Sequence, residues 1–280
     1  MSIITTQEQL MLHLPNTLKA VAGEKILYEK IEGYLGAAER WLAQNICEAS
    51  MISDEFDTKE IGEAVIVNHA LYHAVPALDL VLTPNGFGIV NNQNVVPASK
   101  ERVESLRKSL LENRDKNLML LVHILASIDE WKNSPQGRWF GETMFPWIET
   151  VDEYSDEEIG CTGSYWERYV KLRTKIQEAE EKLEHKFFGA ELMGELREAS
   201  MKSAADVEVK VLTVAKQARM AVRALMGNRG WEKAHTFGRY AIEIIRNNPD
   251  HFTQWHESEM AEIWTPVLYE NKKEDAGYFF

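Results

Sequence analysis

Apolar residues recur at three- and four-residue steps along most of this chain, and that spacing confines it to packed helices. Ile31, Leu35, Ala38, Leu42 and Ile46 fall on one helical face within 25–49. Tyr169, Leu172, Ile176, Ala179 and Leu183 do the same in the second half of the chain. Leu118–Leu125 is apolar nearly all round, as a helix enclosed by others would be. The predicted fold class is all-α.

One segment breaks the period. In Pro84–Val103, Gly86 and Gly88 flank Phe87, and Asn91, Asn92 and Asn94 favour turns. Ile89-Val90 and Val95-Val96 stand as β-branched pairs on either side of those asparagines, so a short hairpin-like loop is expected at 84–97, protruding from the first half. Ser99 then caps a new helix. A loop held on rigid helices is a natural contact device. Phe87 has few local neighbours to cover its ring, and Tyr278, Phe279 and Phe280 follow a charged stretch that supplies no core. Together with Val90, Asn91 and Asn92 they are the candidate partner-binding residues.

The remaining helices follow from caps and breakers. Thr5–Glu8 reads as a capping box and Pro15 as a stop. A second helix-opening signal, Asp57–Glu60, leads a helix through Val81 that Pro76 should kink. The helix from Ser99 to about Lys132 is expected in two pieces, broken near Asn113–Asn117. Helices are further expected over Ser164–Gly189, Ser203–Met226 and Trp231–Asn247, with one more after Asn248. These boundaries suggest a first helical unit at 1–133, an aromatic-rich connection at 134–163, a second unit at 164–268 and a tail at 269–280.

The halves echo each other at an offset of 141 residues. Ile31 meets Leu172, Leu42 meets Leu183 and Ile46 meets Phe187, and at the same offset Val81 meets Val222 and Gly86 meets Gly227. A tandem duplication is expected, with the 84–97 loop an addition to the first copy.

Chemistry is sparse. The formal charge of −13 opposes a nucleic-acid surface spread over the whole protein, although Arg219, Arg223 and Arg229 lie close together. Two cysteines are too few for a disulfide framework or a structural zinc site, and Cys47 is expected in the core. No run approaches the roughly 20 apolar residues of a membrane helix. His69 and His73 have a metal-ligand spacing on one helical face, without the glutamate of a metalloprotease motif. Glu232-Lys-Ala-His235 is the one Glu-x-x-His, where a di-iron site uses two. Asp152–Glu158 lacks the alternating ligands of a calcium loop. No nucleotide-binding or nucleophile-elbow motif occurs.

Three stretches resemble a family of uncharacterised proteins from phages and prophages of gut Bacteroidetes. They are Thr5–Cys47, Gly86–Val103 and the ending Tyr269–Phe280, with the motif residues Gly86, Phe87, Gly88, Val90, Pro97, Ala98 and Arg102 in the middle stretch. The opening helices also resemble phage head–tail connector (adaptor) proteins, small helical subunits that form rings between portal and tail. The resemblance implies a non-enzymatic role in virion assembly, with no catalytic residues, no cofactor and no metal. It implies as partners the portal, neighbouring connector copies or tail proteins, with no membrane and no specific nucleic acid. It places the protein in the virion or the host cytoplasm, not secreted. This chain is about twice a connector's length, which a duplication explains. Two alternatives stay open: a helical-bundle metalloenzyme using His69 and His73, and a host helical adaptor.

Overall fold

The computed structural model describes residues 2–14, 27–78, 80–83, 86–89, 99–227 and 230–265. Over these residues the protein is all-α, with one short hairpin, and divides into two compact units, Met1–Arg173 and Thr174–Phe280.

In the first unit α1 (Gln7–Leu12) starts at Thr6, whose side chain and that of Gln9 form the capping box, one residue later than expected. The next helix, α2 (Leu27–Asn45), buries the expected face of Ile31, Leu35, Ala38 and Leu42. Behind it α3 (Lys59–Ala74) packs against both α2 and α4 (Lys100–Leu125), so it buries residues on most sides, among them Val65, Ile66, Val67 and Leu71.

Three sequence expectations change here. First, α3 stops at Ala74 and does not run on to Val81. Pro76 cannot donate to the preceding turn, and Val75–Ala77 becomes a 3₁₀ turn with that proline at its start. Second, a strand pair that was not expected precedes the expected hairpin. β1 (Leu80–Thr83) pairs antiparallel with β2 (Gly86–Ile89), Leu80 opposite Ile89 and Thr83 opposite Gly86. The expected pairing of Ile89-Val90 with Val95-Val96 falls largely on 90–98, outside the described residues. Third, α4 is a single helix of 26 residues. Asn117 Nδ2 donates to the Asn113 carbonyl at 2.7 Å, so the polar stretch read as a break is satisfied within the helix.

The aromatic stretch 134–163 lies within the first unit. After α5 (Asp129–Asn133) and α6 (Pro135–Gly141), Phe140, Phe145, Ile148 and Val151 are buried, and α7 (Asp156–Ile159) ends at Gly160 in the left-handed region. The Tyr169 hydroxyl donates to the Phe145 carbonyl at 3.0 Å, and its ring stacks on Phe140. Tyr169 belongs to α8 (Tyr165–Leu183), so the unit boundary at Arg173/Thr174 falls inside that helix.

The second unit continues from α8 through a π turn, Glu184–Phe188, into α9 (Gly189–Met201), where the sequence suggested only a helix end. Next come α10 (Val209–Met226) and α11 (Gly230–Arg246), then the short α12 (Thr253–His256) and α13 (Glu259–Trp264). Small residues let α10 and α11 approach: Ala215, Ala218 and Ala221 on one, Ala234, Gly238 and Ala241 on the other, all buried. At Gly238 the Phe187 ring lies where a Cβ would come within 2.7 Å, so a larger residue would displace it.

The two units share one device. In the first, the buried Trp131 of α5 donates its indole N–H to the Ile46 carbonyl at 2.7 Å. In the second, the buried Trp255 of α12 donates to the Phe187 carbonyl at 3.1 Å. Ser134 and Ser258, each three residues on, return a hydroxyl to their own tryptophan's carbonyl at 2.6 Å. Ile46 and Phe187 are partners at the 141-residue offset, but the unbroken register beyond them does not hold. Val81 lies on a strand, whereas Val222 is buried in α10.

Among the described residues no helix is long and apolar enough to cross a membrane.

Candidate functional site

A buried group of polar side chains inside the first unit joins α2, α3, α4 and the start of α8. Arg114 and Asp115 sit mid-way along α4 and are both buried. Asp115 Oδ1 accepts from Arg114 Nε at 2.8 Å and Nη2 at 2.6 Å. Its other oxygen accepts from the Tyr165 backbone N–H at 2.8 Å, satisfying one of the orphan donors at the start of α8. Burial pushes the Asp115 carboxyl above its ordinary range, while Arg114 and the backbone N–H groups of Tyr165 and Trp166 pull the other way.

Arg114 also reaches across to α2 and α3. Its guanidinium lies over the Trp41 ring at 5.4 Å, and its Nη1 is 3.4 Å from His69 Nδ1. His69 stacks on Trp41 with ring centroids 4.3 Å apart. The His69 pKa is pushed down to about 3, by burial first and then by Arg114 and His73. At that site imidazole is neutral and accepts from arginine.

His69 and His73 do face the same side of α3, with ring centroids 4.7 Å apart, as their spacing suggests. The third group at the site is a cation, however, and burial with Arg114 and Arg107 lowers the His73 pKa too. A guanidinium at His69 Nδ1 opposes a metal cation there, and among the described residues no three His, Cys, Asp or Glu gather as ligands. What the constellation does is fix four elements to one another through aromatic stacking and a buried ion pair.

A pH dependence follows. The unfolded His69 pKa lies near 6.5 and the folded one near 3, so below about pH 6.5 the unfolded chain takes up a proton that the folded one does not. The group's contribution is complete above pH 6.5 and is lost as pH falls. Between pH 7 and pH 5 it should remove about 2 kcal/mol. Urea titrations at both pH values should show this loss, and His69→Gln should lack it. An equal pH dependence in the variant would show that His69 already titrates in the folded state.

Other buried pairs have the same structural character. His13 Nε2 lies 3.0 Å from Glu63 Oε2, joining the turn after α1 to α3. Arg173 is buried too, but its partner at 2.9 Å, Glu142, is exposed, and its guanidinium covers the Trp139 ring at 4.0 Å. Cys47 is buried, its thiol pushed up to about 12 by burial, which keeps it a packing residue.

In the second unit His235 is held in an aromatic cluster, 5.3 Å from the Phe187 ring and 6.1 Å from Trp264. It lines an open cleft of about 660 Å³ together with Arg239, Tyr240, Glu243, Arg246 and Trp264. That cleft carries no di-iron ligand set among the described residues.

Of the predicted partner-binding residues, Phe87 lies on β2 between Gly86 and Gly88, opposite Leu82. Val90, Asn91, Asn92, Tyr278, Phe279 and Phe280 lie outside the described residues. Sequence inspection missed Arg114, Asp115 and Trp41, because an adjacent Arg-Asp in a charged helix gives no hint of facing inward.

Residues 18–141, less than half of the chain, match the model of a family of unknown function (DUF6712). No curated protein and no solved structure matches the chain. The matched span runs from the segment before α2 to the end of α6 and includes the hairpin and the Arg114–Asp115 pair.

Proposed function

We infer that this protein is a non-enzymatic structural subunit of a phage or prophage particle, of the head–tail connector kind, acting in virion assembly. The observation that carries the inference is the use of polar groups inside the first unit. Asp115, Arg114, His69, His13 and Glu63 are spent on joining helices, and the scaffold so fixed inserts a hairpin between α3 and α4. A rigid frame that presents one irregular segment suits contact more than turnover. What connects it to a particle is the resemblance of Thr5–Cys47, Gly86–Val103 and Tyr269–Phe280 to phage and prophage proteins. The partners are then portal, tail or neighbouring connector subunits, and the contact residues Phe87, Val90, Asn91 and Asn92 together with Tyr278, Phe279 and Phe280. The two units are copies of one ancestral helical unit on this reading, with the paired tryptophan contacts in support.

Mass spectrometry of purified particles should find the protein in stoichiometric amount. Phe87→Ser, or deletion of Gly277–Phe280, should abolish particle assembly while changing the stability of the isolated chain by no more than about 0.5 kcal/mol, as surface changes do. Particles that assemble normally without the protein would remove the structural role. Recovery with host proteins instead would favour a host adaptor.

A further inference from the structure

Another cleft, of about 370 Å³, opens on the first unit where the end of α2, α6 and the start of α8 meet. Its apolar walls are Pro135, the half-buried Trp139, Trp166 and Val170, the last 39% exposed. Its polar groups are the amides of Gln44, Asn45 and Gln136. No Lys, Arg, Asp or Glu lines it among the described residues, in a chain where charged residues make up 27%.

Two of these amides are fixed with an acceptor to spare. Asn45 Nδ2 donates to the Trp41 carbonyl and Gln136 Nε2 to the Ala43 carbonyl, both at 2.7 Å. Those bonds set the orientation of each amide and leave Asn45 Oδ1 and Gln136 Oε1 without a donor among the described residues. A donor is left over as well. Trp131 and Trp255 are buried like Trp166, and each gives its indole N–H to a carbonyl. The Trp166 N–H has no acceptor among the described residues, although the residue is only 7% exposed. A buried indole N–H ordinarily has one.

We propose that this cleft binds a neutral saccharide, with the C–H face of a sugar ring against Trp139 and its hydroxyls bonded to Asn45, Gln136 and Trp166. The volume is that of a small-ligand site, and an apolar wall with a few placed polar groups is the usual make-up of one. Sugar C–H groups carry a slight positive charge, which suits the negative face of an indole. The Arg173 guanidinium, 4.0 Å from the centre of the Trp139 ring, holds that ring in place. A phosphate, a nucleotide or an acidic sugar would find no cation here. A proline-rich peptide also favours grooves lined by aromatic rings, but its prolines have no N–H for the two free oxygens. A hydroxyl both donates and accepts, so it can satisfy the amide oxygens and the indole N–H together. This goes beyond the assembly role inferred above and does not depend on it, because the cleft is built within one unit.

The test uses the full chain with neutral disaccharides of differing linkage: cellobiose, maltose, lactose and N,N′-diacetylchitobiose. Saturation-transfer NMR should place the ring protons of at least one of them against the protein, with titrations that saturate below about 10 mM. Asn45→Leu/Gln136→Leu removes both acceptor oxygens and should weaken binding at least tenfold, as the loss of two ordinary hydrogen bonds would. Val170→Arg lays a long side chain across the cleft from an exposed position. It should weaken binding at least as much while melting like the wild type, so it reports on the site even where the double variant folds poorly. Absence of saturable binding by all the disaccharides overturns the proposal. So does binding that Val170→Arg leaves unchanged, which would put the sugar elsewhere. Saturable binding of a polyproline peptide in place of the sugars would overturn it in favour of a peptide groove. Sugar binding by a protein absent from particles would sustain this site while removing the virion role.

Discussion

Asp115→Ala should cost the first unit about 3–5 kcal/mol, the usual penalty when one partner of a buried ion pair is removed. Asp115 and Arg114 are only 2% and 4% exposed, so the guanidinium left behind would have no water to replace the carboxylate. The loss has a second part. The Tyr165 N–H, now bonded to Asp115 Oδ2 at 2.8 Å, would lose its acceptor at the start of α8. Asp115→Asn keeps an acceptor for that N–H but removes the charge, so it should fall between alanine and wild type. The double variant Arg114→Met/Asp115→Leu removes both charges and should recover much of the loss, because well-packed apolar residues often replace a buried pair at little cost. Urea unfolding of the four proteins gives the comparison. A single-variant cost below about 1 kcal/mol would mean that water reaches the pair and that it does not organise the unit.

The same pair shows why part of this fold was legible and part was not. The faces of α2 and α8 could be read directly, since Ile31 to Leu42 and Tyr169 to Leu183 are buried at the spacing the sequence displays. Helical period is a local property, and those residues sit locally. Arg114 and Asp115 could not be read, because what makes them interior is supplied from elsewhere: Trp41 and His69 from α2 and α3, and the Tyr165 N–H fifty residues on. From sequence alone, the charged run around them suggested a break in α4. The strand pair over Leu80–Ile89 was missed for another reason. Leu80-Val-Leu-Thr83 is a short apolar run, which period alone assigns to helix or strand equally well, and it followed a helical pattern directly. The asparagines beyond Gly86 drew the expected strands to a later stretch.

At Gly189 the sequence was misleading in a more instructive way. Its φ of +73° is the conformation expected of a glycine that ends a helix, yet α9 begins there. The π turn before it brings Phe187 and Phe188 into the core of the second unit, and the chain can restart its helix with a changed direction. No candidate for that turn was visible in the residue pattern, since its stability comes from the Phe187 ring over Gly238 and the Trp255 bond to the Phe187 carbonyl.

That carbonyl bond carries the remaining large effect. Trp255→Ala should destabilise the second unit by about 3–5 kcal/mol, and Trp131→Ala the first by a similar amount, as loss of a buried large aromatic does. The two residues are 1% and 0% exposed. Phenylalanine at either position separates packing from hydrogen bonding. It keeps most of the ring but strands the Phe187 or the Ile46 carbonyl, an unsatisfied buried acceptor worth about 1–3 kcal/mol. Amide exchange reports where the loss falls: faster in α9 and α10 for the Trp255 variants, faster in α2 and α3 for those at Trp131. Matching costs at the two sites would agree with one device inherited twice. If Trp255→Phe proved as stable as wild type while Trp131→Phe lost its carbonyl bond energy, the contact in the second unit would be incidental to packing. The resemblance between the two units would then rest on helical period alone.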